Sequence, residues 1–200
     1  MKRWFPDPGD IAAERAAAER LRQLPATPRV VAVCSGAGGV GVTTVGTGIA
    51  ATLGTLWPDR VAYVGLAATP SLSGVHVVTA PLWTDQVDLA EVTRLTERFT
   101  VLLLDIGAYA DPTARALLGL ADRLLIVTDQ AGRGVERVLA RVAEAGPATR
   151  TTVIVGRDTE NRDHLCLPHD KALRKLDAEI LDRVRPATRR AYLTIAAWCL

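Results

Sequence analysis

Two hundred residues with 48% hydrophobic content suffice for one packed core and fall short of the length at which a second is expected. The formal net charge is only +2, so no strong basic field argues for nucleic acid as a partner. Three cysteines (Cys34, Cys166 and Cys199), widely spaced and never in a Cys-x-x-Cys pair, give neither a disulfide framework nor a zinc site. They fit reduced thiols in a cytoplasmic protein, and a metal site built from Cys166 and His169 would still lack two ligands.

In chain order, Met1–Pro6 is followed by no apolar core of secretory length, so no signal peptide is expected. A helix is predicted from Asp10, as N-cap, through Leu24, closed by Pro25 and Pro28. Residues 1–28 read as an N-terminal helical arm on a domain of residues 29–200. The arm's alanine-rich, weakly amphipathic body suits packing on the domain surface, with a partner-binding arm as the alternative.

From Arg29 the pattern becomes strand, loop, helix, repeated. Val30–Cys34 is β-branched and apolar, a buried strand. Ser35–Val42 is a glycine loop, and Thr43–Leu56 a helix stopped by Trp57 and Pro58. Val61–Gly65 is the second strand. Leu89, Val92, Leu95 and Phe99 share one face of a short helix. Val101–Leu104 is a third strand, ending at Asp105, and Asp111 with Pro112 opens a helix through Leu120.

Leu124–Thr128 and Thr152–Val155 are further strands, separated by a helix over Gly134–Ala145. Helices at Asp170–Arg183 and Ala187–Cys199 finish the chain, the last opened by Pro186. Two uncharged stretches, Val30–Pro58 and Val61–Thr84, are long enough to span a bilayer. The first carries seven glycines and five threonines, and the second breaks at Thr69–Pro70 and Ser71–Gly74, so neither reads as transmembrane. The fold class expected is α/β: a parallel sheet of about five or more strands with helices on both faces. Ligands in such sheets sit at the carboxyl ends of the strands, where the glycine loop and Asp105 both fall.

Gly36, Ala37, Gly38, Gly39, Val40, Gly41, Val42 and Thr43 follow a strand and open a helix. That context suits a phosphate-binding loop, in which backbone N–H groups and a helix N-terminus face the anion. The pattern G-x-x-x-x-G-K-[ST] fits at every fixed position but one, because Val42 stands where the lysine belongs. Gly36, Gly38 and Gly41 also satisfy the dinucleotide fingerprint G-x-G-x-x-G. No acidic residue closes the second strand to hold a ribose, and Thr43 and Thr44 fit the nucleoside-triphosphate reading better. A glycine turn that binds nothing is the third alternative.

The run from Ala37 to Thr44 resembles the K-G-G-x-G-K-[ST]-T loop of the MinD/ParA group of deviant P-loop ATPases, apart from both lysines. Leu102–Asp105 is similar to that group's second acidic motif, Ala121–Thr128 to its next strand, and Leu167–Asp170 to its turn beside the adenine. The resemblance covers about residues 29–200. It implies a nucleotide site made of Gly36–Thr44, Arg157, Pro168 and Asp170, with Thr43 and Asp105 holding Mg²⁺ directly or through water.

The departures weigh against chemistry. The group's signature lysine is Ala37, the loop lysine is Val42, the D-x-D carboxylates are Gly65 and Ala67, and the base-facing asparagine is Gly156. Each lost charge-assisted hydrogen bond is worth about 1.5–3 kcal/mol, so two missing lysines weaken triphosphate binding by roughly two to four orders of magnitude. Removing one electrostatic clamp costs about 10²–10³ in rate, and here several are gone.

The expectation is therefore weak binding of ATP or ADP with Mg²⁺ at most, with an empty site the leading reading, and no catalytic residue. The resemblance is that of a degenerate member, similar to CpaE-like localisation proteins, and implies a pseudo-ATPase adaptor for a partitioning, secretion, pilus or conjugation machine. Protein partners are expected, a homodimer among them, without a membrane span. The alternatives are a slow Mg-ATP-dependent switch using a substitute arginine (Arg60, Arg133 or Arg157), and a dinucleotide-binding protein. The arginines Arg183, Arg185, Arg189 and Arg190 read as a solvated helix flank, with an acidic partner or nucleic acid as the alternative, and Tyr192, Ile195, Trp198 and Cys199 as a core-packing face.

Overall fold

The computed structural model describes residues 8–65, 71–79, 89–108, 112–144, 151–157 and 164–200. Seven strands form one parallel sheet: β1 (Arg29–Ser35), β2 (Val61–Gly65), β3 (Val75–Thr79), β4 (Val101–Ala108), β5 (Arg123–Thr128), β6 (Thr151–Arg157) and β7 (Leu165–Leu167). Their spatial order is β3-β2-β4-β1-β5-β6-β7. The chain thus builds one half of the sheet outward from β1, then returns and builds the other. β1 lies between β4 and β5, so the loop that leaves it emerges at the centre of the carboxyl edge.

The helices are α1 (Pro8–Arg20), α2 (Val42–Leu56), α3 (Leu89–Arg98), α4 (Pro112–Leu120), α5 (Val135–Glu144), α6 (Ile180–Arg183) and α7 (Pro186–Trp198). They divide between the two faces as the alternation of strand side chains requires. Val31, Val33, Tyr63, Leu103, Leu125 and Val127 face α2 and α7 in one buried cluster, joined by Ala17 and Leu21 of the N-terminal arm. Ala32, Cys34, Ala62, Val64, Leu102, Leu104 and Ile126 face α3, α4 and α5 in the other. No described helix is long and apolar enough to cross a membrane.

Several expected boundaries move. α1 begins two residues before Asp10 and ends at Arg20, although Leu21 still packs into the core. The predicted Asp170–Arg183 helix is broken into a 3-10 turn (Lys171–Arg174) and the single turn α6. The cause is local: Asp170 accepts from Ala172 N and Asp177 from Glu179 N, and these side-chain caps compete with a continuous helical ladder. β3 and β7 add strands at the two flanks of the sheet. Asp111 and Ala145, named as helix ends from the sequence, lie outside the described residues.

Candidate functional site

The glycine loop runs from Ser35 to the start of α2. Ser35 Oγ donates to Ala37 O at 2.7 Å, folding the first residues back on themselves. Gly41, at φ 98°, is the N-cap of α2 and takes a backbone conformation that a side chain would strain. Gly36 meets a second backbone: a Cβ there would lie 2.0 Å from Gly134 O, in the turn after β5. The two glycines let the β1 and β5 loops close on each other. Gly38 and Gly39 are exposed, and a Cβ on either would meet nothing within 4 Å.

The side chains of the loop turn the other way. Val40 and Val42 are buried in the α2-side cluster, Val42 at 7% exposure, and Ala37 packs partly against it. Thr43 and Thr44 are half-buried in the first turn of α2. Between Arg29 and Arg60 the chain has no lysine or arginine at all. The rim of the loop therefore offers an anion backbone N–H groups and the α2 terminus, with no cation of its own.

Asp105 sits one strand away and is 2% exposed. The strand β4 does not end there, as the sequence reading had it, but runs on to Ala108. An irregularity after the Val33–Asp105 pair lets β4 resume pairing at Cys34–Gly107. Both carboxylate oxygens are engaged internally. Oδ2 accepts from the Tyr63 hydroxyl at 2.7 Å, and Oδ1 from Gly107 N at 3.0 Å. Burial, reinforced by the Asp105 charge, pushes the Tyr63 hydroxyl well above its usual value of 10 and the neighbouring Cys34 thiol up to about 12. Tyr63 is accordingly a fixed proton donor to a buried carboxylate.

Two tyrosines strap α2 down, and two glycines in the helix admit them. A Cβ on Gly46 would come within 3.2 Å of the Tyr63 oxygen, and one on Gly48 within 2.1 Å of the Tyr192 ring. Tyr192 then donates its hydroxyl to Thr44 O at 3.0 Å, reaching from α7 to the first turn of α2. A glycine inside a helix costs about 1 kcal/mol relative to alanine. Here that cost is offset by two buried aromatic rings, each fully enclosed. Neither tyrosine was picked out by sequence reasoning for the site. The signals were present: one aromatic residue in the aliphatic run Val61–Val64, and a Gly-x-Gly inside an apolar helix.

Asp170 lies at the same edge of the sheet, just past β7. It is 5% exposed and caps the 3-10 turn through Ala172 N, 3.1 Å from Oδ1. Its Oδ2 accepts from Arg185 N at 2.7 Å and from the Thr188 hydroxyl at 2.9 Å, which fixes the start of α7. Burial alone would raise its pKa, yet these three hydrogen bonds hold it below the ordinary 3.8. Pro168 is half-buried beside it.

Of the three arginines considered as substitutes, Arg60 precedes β2 and receives Thr100 N and Val101 N on its carbonyl, at the opposite edge of the sheet. Arg157 ends β6 at the correct edge. Arg133 is held in the turn that closes on Gly36, and its guanidinium pairs with Asp129 through Nε at 2.5 Å. Of the distal arginines, Arg183 pairs with Asp177 and Arg189 donates to Leu181 O.

A central glycine loop between β1 and α2, an aspartate on the adjoining strand, and the order β3-β2-β4-β1-β5-β6-β7 invite comparison with known structures. A ParA family ATPase from Chlorobium tepidum TLS superimposes with a TM-score of 0.64 at 15% identity, covering 85% of this chain and 98% of that one. The MinD cell division protein of Aquifex aeolicus gives 0.64 at 15% identity, over 83% and 94% of the two chains. A plasmid partition protein from Borrelia burgdorferi gives 0.56 at 10%, over 84% and 97%. The fold is the ParA/MinD type of P-loop NTPase. No sequence-family model and no curated protein sequence matches the chain. At these identities the ParA/MinD likeness establishes the fold, and the activity has to be argued from the site itself.

Proposed function

We propose that the protein is a pseudo-ATPase of the ParA/MinD fold that acts by binding protein partners rather than by turning over a nucleotide. The observation that carries this reading is Val42. The position from which a P-loop cation would reach the β- and γ-phosphates holds an apolar side chain packed into the core. The enclosure of Asp105 supports it: the carboxylate is 2% exposed and is already held by Tyr63 and Gly107, so an incoming Mg²⁺ would have to compete with those hydrogen bonds. A nucleotide bound at the loop would be held by backbone N–H groups and the α2 terminus, with Thr43 and Asp105 nearest to its metal and Arg157, Pro168 and Asp170 along the same edge.

The role suggested is that of an adaptor or positioning protein in the cytoplasm. Solved proteins of this fold include MinD in a MinC:MinD cell division protein complex and a plasmid partition protein. A homodimer or a heteromeric complex suits such a role, with partitioning, secretion, pilus or conjugation machinery as its setting. Steady-state phosphate release with Mg-ATP is the test. The expected rate equals that of the Asp105→Asn variant; a rate that depends on Asp105 refutes the reading.

Arg133 supports a second reading, a slow switch in which an arginine replaces the lysine. Its turn touches the glycine loop, but its guanidinium would first have to leave Asp129. That reading predicts phosphate release abolished by Arg133→Ala and raised by Asp129→Ala.

A further inference from the structure

The two flanks of the sheet are finished differently. β7 is three residues long and is followed at once by Pro168, and so short a strand offers little to a further one. β3 runs over Val75–Thr79 and pairs with β2 on its inner side; among the described residues nothing pairs with its outer side. Its sequence, Val-His-Val-Val-Thr, holds no proline, lysine, arginine or acidic residue, and each of its residues is half-buried or exposed. Four of the five are β-branched, the side chains that suit a pleated surface best. An edge so built lacks the charges, prolines and bulges that keep one strand from pairing with another.

We propose that β3 pairs antiparallel with β3 of a second copy of the chain, joining two sheets into one across a two-fold axis. Symmetry and the pleat together fix the register. Opposed residues of an antiparallel pair point to the same face, while successive residues point to opposite faces, so a residue at the axis must oppose its own copy. Only Val77 in that place pairs all five positions: Val77 with itself, His76 with Val78, and Val75 with Thr79. Val75 and Val77 already pack partly on the α2-side cluster, so a row of β-branched side chains then continues from one copy into the other.

Electrostatics permits it. A two-fold contact sets each charge near the axis against its own copy, and the run Val61–Thr84, which contains β3, carries no Asp, Glu, Lys or Arg. Five residues span about 17 Å, so the contact belongs with the small, reversible interfaces. It lies three strands away from β1 and its glycine loop. The pairing therefore needs no nucleotide, goes beyond the adaptor reading and does not rest on it, and supplies that reading with a surface on which two copies meet.

Cysteine crosslinking reads the register. A Cys166→Ser background removes the exposed thiol and leaves Cys34 and Cys199 buried. In it, Val77→Cys sets each thiol opposite its own copy, with Cα atoms about 4.5–5.5 Å apart and within disulfide reach. Thr79→Cys is at a more exposed position but stands four residues out of register with its copy, roughly 14 Å away. Mild oxidation is expected to link Val77→Cys into dimers at least tenfold faster than Thr79→Cys. Sedimentation equilibrium of the unmodified chain over roughly 1–200 μM is expected to show reversible dimers. Val77→Lys, its folding checked by circular dichroism, is expected to weaken them at least tenfold. A chain monomeric throughout that range, equal crosslinking rates at the two positions, or dimers of folded Val77→Lys as tight as the parent's would each overturn the assignment. No nucleotide enters these readouts, so such a failure leaves the pseudo-ATPase reading standing.

Discussion

Removing the Tyr63 hydroxyl isolates the contact that closes Asp105. Tyr63→Phe leaves ring packing intact and deletes one 2.7 Å hydrogen bond to a carboxylate 2% exposed. A hydrogen bond to a charged group is worth about 1.5–3 kcal/mol, and the oxygen left behind stays largely buried. For a domain of this size each kcal/mol moves Tm by about 2–4 °C, so a fall of roughly 3–12 °C is expected. Urea denaturation followed by circular dichroism gives the free energy directly. Asp105→Asn in the Tyr63→Phe background removes the stranded charge, so the double variant should be less destabilised than the two single losses add up to. A Tyr63→Phe variant within about 0.5 kcal/mol of the parent would refute the view that this hydroxyl holds Asp105.

Asp170→Ala removes three hydrogen bonds from a buried carboxylate, with an expected loss of about 3–5 kcal/mol and detachment of α7, measurable by denaturation. Because the folded pKa of Asp170 is lowered, its contribution is complete above the unfolded value near 4 and disappears as pH falls through the folded value. The parent should therefore lose stability below about pH 4 more steeply than Asp170→Asn in an acid titration. Gly48→Ala gains helix propensity of about 1 kcal/mol but drives a Cβ to 2.1 Å from the Tyr192 ring, so a net loss of about 1–3 kcal/mol is expected by the same assay. With a thiol reagent at pH 8, exposed Cys166 should react at once, while Cys34 and Cys199, both pushed up to about 12 by burial, should react only on unfolding.

The central strands were legible because burial on both faces demands unbroken β-branched and aliphatic runs, as in Val30–Cys34 and Val61–Gly65. The flanking strands carry no such signal. β3 has His76 amid valines and is half-exposed along its length, and β7 is three residues long, too short for any period to register. The phosphate loop was legible through its glycines, which are read one position at a time. Tyr192 was legible as a core residue, but the parts that it, Gly134 and Tyr63 play at the site were not, since these exist only across elements: Gly134 matters because Gly36 lies against it, and Tyr63 because β4 delivers Asp105 beside it. The stretch Asp170–Arg183 reads as one helix, while Asp170 and Asp177 cut it by capping turns of their own.

Calorimetric titration of the protein with ATP and ADP, with and without Mg²⁺, tests the central claim most directly. With Val42 buried and no lysine or arginine within the loop itself, no heat is predicted at millimolar nucleotide in either condition. Micromolar, magnesium-dependent binding would contradict it and place a functional nucleotide site on the glycine loop.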